Sequence, residues 1–211
     1  MLRDCRAKEI PREMIPWRRK LYRVGVGIIF PLIYYFSPDK IIVLSFLFYL
    51  LGIMTTVEIL RRVAPGAWQV MAAHSKGILK AEPGRVVGTT NFLIATLLVI
   101  IFLPKSIAIA ATVFLVFGDA VSTLIGMRFG RIKLMGGRKS LEGSLSFFLV
   151  CIGIGLGLMQ LPRIELTFWL ILLGALVATI TELLPIPLDD NLTVAPITGA
   201  VMDIVRRIII I

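Results

Sequence analysis

The chain has 211 residues, of which 57% are hydrophobic, and it carries a formal net charge of +10. Its mean hydropathy of +0.91 and its long apolar runs exceed what a soluble core of this length requires, which leaves no room for a separate soluble domain. The cations lie at the ends of the apolar runs, and no soluble basic module with interspersed aromatic residues accompanies them. Nucleic-acid binding is therefore not expected.

Apolar segments that approach the roughly 20 residues of a transmembrane helix recur along the chain. Six of them lie at Tyr22–Phe36, Ile41–Leu60, Val86–Leu103, Ile107–Met127, Leu141–Leu161 and Leu166–Leu184. A seventh, Leu192–Ile211, is weaker because Asp203, Arg206 and Arg207 interrupt it. We predict an all-α, polytopic integral membrane helical bundle with six or seven transmembrane helices. Residues 21–211 would form one transmembrane catalytic domain, preceded by a basic amphipathic segment at residues 1–20 on the cytoplasmic side.

The positive charge is concentrated in alternate connections between these segments. The N-terminal residues through Arg23 contain 8 Lys and Arg, Arg61–Arg85 contain 5, and Arg128–Lys139 contain 5, out of 23 in the chain. Cytoplasmic loops carry such an excess of cations. We therefore predict a multi-pass protein whose N-terminus and candidate active site both face the cytoplasm, with anionic membrane lipids as partners of its basic segments.

Two polar features mark the second and third segments. Glu58 lies three and four residues before Arg61 and Arg62, the spacing of ion pairs on one helix face. Residues 88–91, with the sequence GTTN, form a small polar patch where the third segment begins. Such a patch within a membrane is tolerated only against protein or a wet cavity, so we expect one of these there.

Asp119 lies inside the apolar fourth segment. An aspartate at the centre of a membrane helix costs about 2.5–3.5 kcal/mol on insertion scales, so it is normally retained for a partner or a function. Gly118 beside it would let the helix loosen or let another backbone approach, and Ser122 and Thr123 continue the same small polar face. We predict that Asp119 binds a metal ion or acts as a general base.

A basic loop with two glycines follows. Its five cations are Arg128, Arg131, Lys133, Arg138 and Lys139. Arg138 and Lys139 come directly before a predicted helix start at Ser140, and the N–H groups of a helix N-terminus attract phosphate. Glu142 lies in the first turn of that helix, where the helix dipole also favours an acid. We predict that Arg138, Lys139 and Ser140 bind a nucleotide.

Further acids come from the end of the sixth segment and the connection after it. Glu182 lies where the helix dipole disfavours an acid, and Asp189, Asp190 and Asn191 offer oxygen ligands suited to a hard divalent cation. Together with Asp119 and the cations, they match the needs of phosphoryl transfer: a metal to bridge phosphates, cations to absorb charge, and a carboxylate to accept a hydroxyl proton. The chain has no Walker-type loop and no HExxH motif.

Three segments in this order carry a family resemblance, namely FGDAVSTLIGMRFGRIKL, GRKSLEGSLSFF and TELLPIPLDDNLTV. They resemble the CTP-dependent lipid-alcohol kinases, which include dolichol kinase, phytol kinase and the CTP-type diacylglycerol kinase. The segment WRRKLYR at residues 17–23 is similar to the arginine-lysine motif of that family. Glu58 with Arg61, and Glu82 with residues 88–89, resemble further family positions.

The resemblance implies CTP as co-substrate, Mg²⁺ or another divalent cation as cofactor, and an isoprenoid or glycerolipid alcohol as acceptor. It also implies a nucleotide and metal site formed by Asp119, Lys139, Glu142, Asp190 and Asn191. We therefore expect a kinase that transfers the terminal phosphoryl group of a nucleoside triphosphate to a long-chain lipid alcohol, with a polyprenol such as dolichol as the leading candidate.

The residue roles expected for this kinase fall into four groups. The catalytic residues are Asp119, Lys139 and Glu142. The nucleotide-binding residues are Arg138, Lys139, Ser140 and Asn191. The metal ligands are Asp119, Glu182, Asp189 and Asp190, with Glu142 as a further candidate. The alcohol would enter between helices, with its chain beside Ser122 and Thr123.

Two other functions use the same residues. A cytidylyltransferase would form a CDP-lipid from a phosphatidate-like acid and release pyrophosphate, whereas the kinase releases a nucleoside diphosphate. A small ion-coupled transporter would relay ions through its intramembrane acids. The clustering of the acids toward one face argues against the transporter, because relay residues would trace a path across the bilayer.

Overall fold

The computed structural model describes residues 17–64, 66, 88–137, 139–186 and 188–210, and this part of the chain is almost entirely helical. Its seven α-helices are α1 Trp17–Phe36, α2 Lys40–Val63, α3 Gly88–Phe102, α4 Lys105–Phe129, α5 Leu141–Met159, α6 Phe168–Leu183 and α7 Asp190–Ile210. The sheet in this part is one pair of two-residue strands, β1 Lys133–Leu134 and β2 Lys139–Ser140. The all-α prediction is confirmed. Residues 1–16 of the amphipathic segment predicted at residues 1–20 lie outside the described residues.

Three of the described helices are long and apolar enough to cross a membrane, namely α2, α4 and α5. Helices α3 and α6 are also apolar but have only 15 and 16 residues. These properties indicate a membrane protein. The number of six or seven spans stays a prediction.

Helix α4 is the centre of the bundle and packs against α1, α5 and α7. It is mostly apolar and most of it is buried, so its neighbours surround it, including the short polar face at Asp119, Ser122 and Thr123. At Gly118 an added Cβ would lie 2.5 Å from Cζ of Phe147 on α5, so only glycine allows this contact. The backbone approach predicted at Gly118 is therefore replaced by an approach of the Phe147 ring, which also needs the space that glycine leaves.

The helix termini gather at two ends of the bundle. At one end, Lys105 donates a hydrogen bond to the Ser37 carbonyl at 2.9 Å, and Lys40 donates one to the Ile101 carbonyl at 2.6 Å. These bonds tie the starts of α2 and α4 to the ends of α1 and α3. At the other end, Lys139 meets the end of α6 and the start of α7. We refer to these as the Lys105 end and the Lys139 end.

Helix α7 contains the charges that interrupt the predicted seventh segment. Asp203 is only 5% exposed, and its carboxylate accepts hydrogen bonds from Arg206 at 3.2 Å and from Arg207 at 2.8 Å. The three residues are one helical turn apart, so the pairing forms within the helix itself. Because the buried acid is neutralised locally, α7 can pack against α3, α4 and α6 as a bundle helix.

Candidate active site

The loop after α4 folds into a hairpin that positions Lys139. Strands β1 and β2 pair antiparallel, with Leu134 opposite Lys139. The turn between them includes Gly136 and Gly137 at φ 68° and 91°, a left-handed conformation that glycine adopts at little cost. The sequence predicts only a flexible loop here, because strands of two residues carry no periodic signal.

Glu142 closes the base of this hairpin. Its Oε1 accepts hydrogen bonds from the backbone N–H of Arg131 at 3.0 Å and of Ile132 at 3.2 Å. The Ser140 hydroxyl caps α5 by accepting a hydrogen bond from the N–H of Gly143 at 3.2 Å, which confirms the predicted helix start. These contacts make Glu142 and Ser140 positioning residues for the loop. Their catalytic and nucleotide-binding roles stay predictions.

Lys139 bridges two acids from different helices. Its ammonium donates hydrogen bonds to Oε1 of Glu182, at the end of α6, and to Oδ2 of Asp190, at the start of α7, the latter at 3.0 Å. The side chain of Glu182 is 6% exposed, that of Lys139 26% and that of Asp190 40%. The ammonium therefore offsets both the burial of Glu182 and its unfavourable place at a helix C-terminus. We call these three residues the Lys139 cluster.

Two opposing effects set the pKa of Lys139. Burial lowers it, because the charged form loses its contact with water. The hydrogen bonds and negative charges of Glu182 and Asp190 outweigh burial, so the pKa of Lys139 is raised above its ordinary value. Lys139 is consequently an ammonium at neutral pH and can offer a full positive charge to a phosphate.

Asp119 lies beside the Lys139 cluster. Its charge acts on Glu182, and its side chain lines a cavity together with Asn191 from the start of α7. Its backbone carbonyl accepts hydrogen bonds from the hydroxyls of Ser122 at 3.3 Å and Thr123 at 2.7 Å. The structure thus brings Asp119 and the cluster together at one end of the bundle, although they come from separate segments of the sequence.

The cavity beside Asp119 has a volume of about 30 Å³. Its polar side is formed by Gly88 and Thr89 at the start of α3, Asp119 on α4 and Asn191 on α7, and residues of α1, α3 and α4 form its apolar side. Of the two surroundings predicted for the polar patch at residues 88–91, protein or a wet cavity, the structure places a cavity beside Gly88 and Thr89, whereas Thr90 is buried. A space of this size holds about two water molecules, so it suits a hydroxyl-sized group and not a whole nucleotide.

Other predicted site residues have local roles. Oδ1 of Asp189 accepts a hydrogen bond from the backbone N–H of Asn191 at 2.9 Å and so caps α7. Ser122 is buried, and neither Ser122 nor Thr123 lines the cavity. Arg138 lies outside the described residues. The metal, substrate and nucleotide roles of these residues stay predictions.

The acids do not form a ready-made metal cage. Among the described residues, no group of three or more His, Cys, Asp or Glu could hold a metal ion. Oε2 of Glu182 is nevertheless buried without a hydrogen-bond partner in the described part of the chain. Mg²⁺ is usually bound by one or two carboxylates plus substrate phosphates, and seldom by an all-protein cage. The donor set therefore fits a divalent cation that is completed by a bound nucleotide.

Glu58 and Arg61 form a second buried charge pair, near the end of α2. Their side chains approach to 3.8 Å, which confirms the ion pair predicted from their spacing. Both are 7% exposed, whereas most of α2 is exposed. A solvated collar at a membrane surface would not bury both charges, so this pair is embedded in protein.

Comparison of the chain with protein-family models, curated proteins and solved structures finds no match. The resemblance to the CTP-dependent lipid-alcohol kinases therefore depends on the motif residues alone. The geometry around Lys139 and Asp119 does not depend on that resemblance, because it follows from the contacts of these side chains.

Proposed function

We propose that the protein is an integral membrane kinase that transfers the terminal phosphoryl group of a nucleoside triphosphate to a long-chain lipid alcohol. The Lys139 cluster carries this proposal: a partly buried, protonated amine is held by carboxylates from two helices, with a third carboxylate, Asp119, near enough for its charge to act on Glu182. Phosphoryl transfer requires positive charge at the donor phosphates and a carboxylate at the acceptor hydroxyl. The family resemblance adds CTP as the donor and a polyprenol such as dolichol as the leading acceptor.

Lys139 would bind the donor phosphates, with phosphate oxygens replacing one of its carboxylate partners. Asp119, which lines the cavity with Asn191, would accept the proton of the alcohol as the hydroxyl oxygen attacks the terminal phosphorus. The new oxygen–phosphorus bond forms while the bond from that phosphorus to the bridging oxygen breaks. A nucleoside diphosphate leaves, and Lys139 balances the negative charge that it gains.

A divalent cation would be held by Glu182 and Asp190, with the buried Oε2 of Glu182 as its most available oxygen. When bound, such a cation would neutralise charge on the donor phosphates. This assignment keeps two of the four predicted metal ligands. Asp119 then serves the acceptor, and Asp189 serves the cap of α7.

We further propose that all seven helices run between the two membrane faces, with the Lys139 end in the cytoplasm. Cations are more numerous at that end, which is the usual sign of a cytoplasmic face. Helices α3 and α6 would span about 23 Å at 1.5 Å per residue, less than a hydrocarbon core of about 30 Å. Local thinning of the bilayer or flanking residues would accommodate the difference.

The alternative functions differ from the kinase in testable ways. A cytidylyltransferase could use the same acids and lysine, but it would transfer the nucleotidyl group and release pyrophosphate. A transporter would need a further acid at the Lys105 end to continue its ion path across the bilayer. Asp203 is the buried acid on that side of α7, and it is already neutralised by Arg206 and Arg207. This pairing favours an enzyme.

Purified protein in mixed micelles, given γ-labelled CTP or ATP and a panel of lipid alcohols, tests the proposal. The panel contains a polyprenol, a phytol-like alcohol and a diacylglycerol. We expect label in the lipid for the wild type and for Glu165→Gln, which alters an exposed acid at the Lys105 end. Asp119→Asn should lower kcat by about 100-fold or more, the contribution of a general base. No transfer for any pair of nucleotide and alcohol would remove the proposal, and normal turnover by Asp119→Asn would remove the role of that residue.

A further inference from the structure

The apolar side of the cavity beside Asp119, which we call the slot, lies between α1, α3 and α4. Leu115 and Val116 on α4 and Phe92 on α3 form its buried walls, and each is no more than 8% exposed. Val26 on α1, which also lines the slot, is partly exposed. The slot therefore combines a polar side at Asp119 with hydrocarbon walls and one partly exposed residue on α1.

The packing of α1 explains why this slot exists. Helix α1 packs closely on α4, where a Cβ added at Gly27 would lie 2.6 Å from Cγ2 of Val116. Helix α3 packs instead on α2 and α7, and in the described part of the chain α1 and α3 touch only sparsely. The partly exposed Val26 consequently marks the side of the slot where α1 and α3 leave space between them.

The chemistry of the slot selects an amphiphile with a small polar end. Asp119 and Asn191 can hydrogen-bond one hydroxyl at the inner end, whereas Val26, Phe92 and Val116 offer only apolar contacts. A nucleotide would bury its ribose and base against these walls without polar partners, which is unfavourable. A hydrocarbon chain loses nothing there and can remain continuous with the surrounding lipid.

We propose that the slot between α1 and α3 binds the hydroxyl-bearing end of the acceptor lipid alcohol and places its hydroxyl beside Asp119, with the chain leaving past Val26. This inference rests on the proposed function for the identity of the ligand and adds the place where the ligand binds. It moves the alcohol from the predicted groove beside Ser122 and Thr123. The Ser122 carbonyl faces α5, because a Cβ added at Gly143 would lie 3.0 Å from it, so that face of α4 is occupied by protein.

Photo-labelling tests the location without requiring turnover. A long-chain primary alcohol with a diazirine near its hydroxyl is added to the purified protein in lipid vesicles, irradiated, and mapped by mass spectrometry. We expect adducts on α1 around Val26 and on α3 around Phe92, reduced by excess polyprenol. Adducts confined to the outward face of α5, such as Leu145 and Leu149, would overturn the proposal.

Kinetics of a matched pair of variants test the same location. Val26→Trp fills the slot, whereas Leu32→Trp places the same side chain at a 47% exposed position on the same helix. We expect the KM for polyprenol to rise about tenfold or more in Val26→Trp, with the KM for the nucleotide unchanged and Leu32→Trp behaving as wild type. Equal effects of the two variants would contradict the slot. If Val26→Trp does not fold, the labelling of the wild type decides.

The slot and the proposed kinase can fail separately. Labelling at Val26 and Phe92 without phosphoryl transfer would support the slot and remove the proposed reaction. Transfer to polyprenol with labelling elsewhere would keep the reaction and remove the slot.

Discussion

Removing the Lys139 ammonium should destabilise the protein mainly through Glu182. Breaking a buried ion pair by deleting one partner costs about 3–5 kcal/mol, because the other charge stays buried. Lys139 is 26% exposed, so we take the lower limit, about 3 kcal/mol, for Lys139→Met. Asp190 is 40% exposed and its share of the attraction is screened, so Asp190→Asn should cost less than about 1 kcal/mol.

Thermal unfolding in detergent micelles measures these costs. For a chain of this length, 1 kcal/mol corresponds to about 2–4 °C, so Lys139→Met should lower the Tm by about 6–12 °C. The double variant Lys139→Met/Glu182→Gln has neither the ammonium nor the buried carboxylate charge, so most of the lost stability should be recovered. Equal losses for Lys139→Met and Asp190→Asn, or no recovery in the double variant, would refute the assignment of the cost to Glu182.

Three further predictions concern the core, the hairpin and pH. Gly118→Ala should lower stability by about 1–3 kcal/mol because its Cβ meets the buried ring of Phe147, whereas Gly153→Ala, with nothing within 4 Å, should be neutral or stabilising; thermal unfolding compares them. Glu142→Ala removes the acceptor of two hairpin N–H groups, so limited proteolysis should cleave the hairpin faster than in wild type, and unchanged cleavage would contradict the positioning role. Since the folded-state pKa of Lys139 is raised, its contribution is complete below the unfolded value of about 10.4 and is lost as the pH rises from there through the folded value. The wild-type Tm should therefore fall more steeply than that of Lys139→Met as the pH rises above about 10.4.

Much of the helical framework could be predicted from hydropathy. The fourth segment, predicted at Ile107–Met127, corresponds to α4 at Lys105–Phe129, because a long apolar run with a proline before it leaves few alternatives. The start of α5 at Ser140 was also predictable, since serine is a preferred N-cap residue. The sparse contact between α1 and α3 was not, because hydropathy does not say which neighbours a helix chooses.

The residues of the candidate site could be predicted from the sequence, but which of them form ion pairs could not. Asp119 and Glu182 stand out because acids are rare in apolar segments, and Asp190 stands out because it adjoins Asp189 and Asn191, which also offer oxygen ligands. That Lys139 would join Glu182 and Asp190 depends on contacts across 43 and 51 residues, for which the sequence holds no local signal. Val26 and Phe92, whose role is proposed above, are ordinary apolar side chains that the sequence does not single out, because only the folded structure shows that they line the cavity.

The proposed function requires that a terminal phosphoryl group is transferred to a lipid hydroxyl at the Lys139 end. The direct measurement is a parallel reaction with CTP labelled in the α or in the γ phosphate, followed by separation of lipid and nucleotide products. For the kinase we expect the γ label in the lipid and the α label in CDP. Label from the α phosphate in the lipid, with pyrophosphate released, would contradict it.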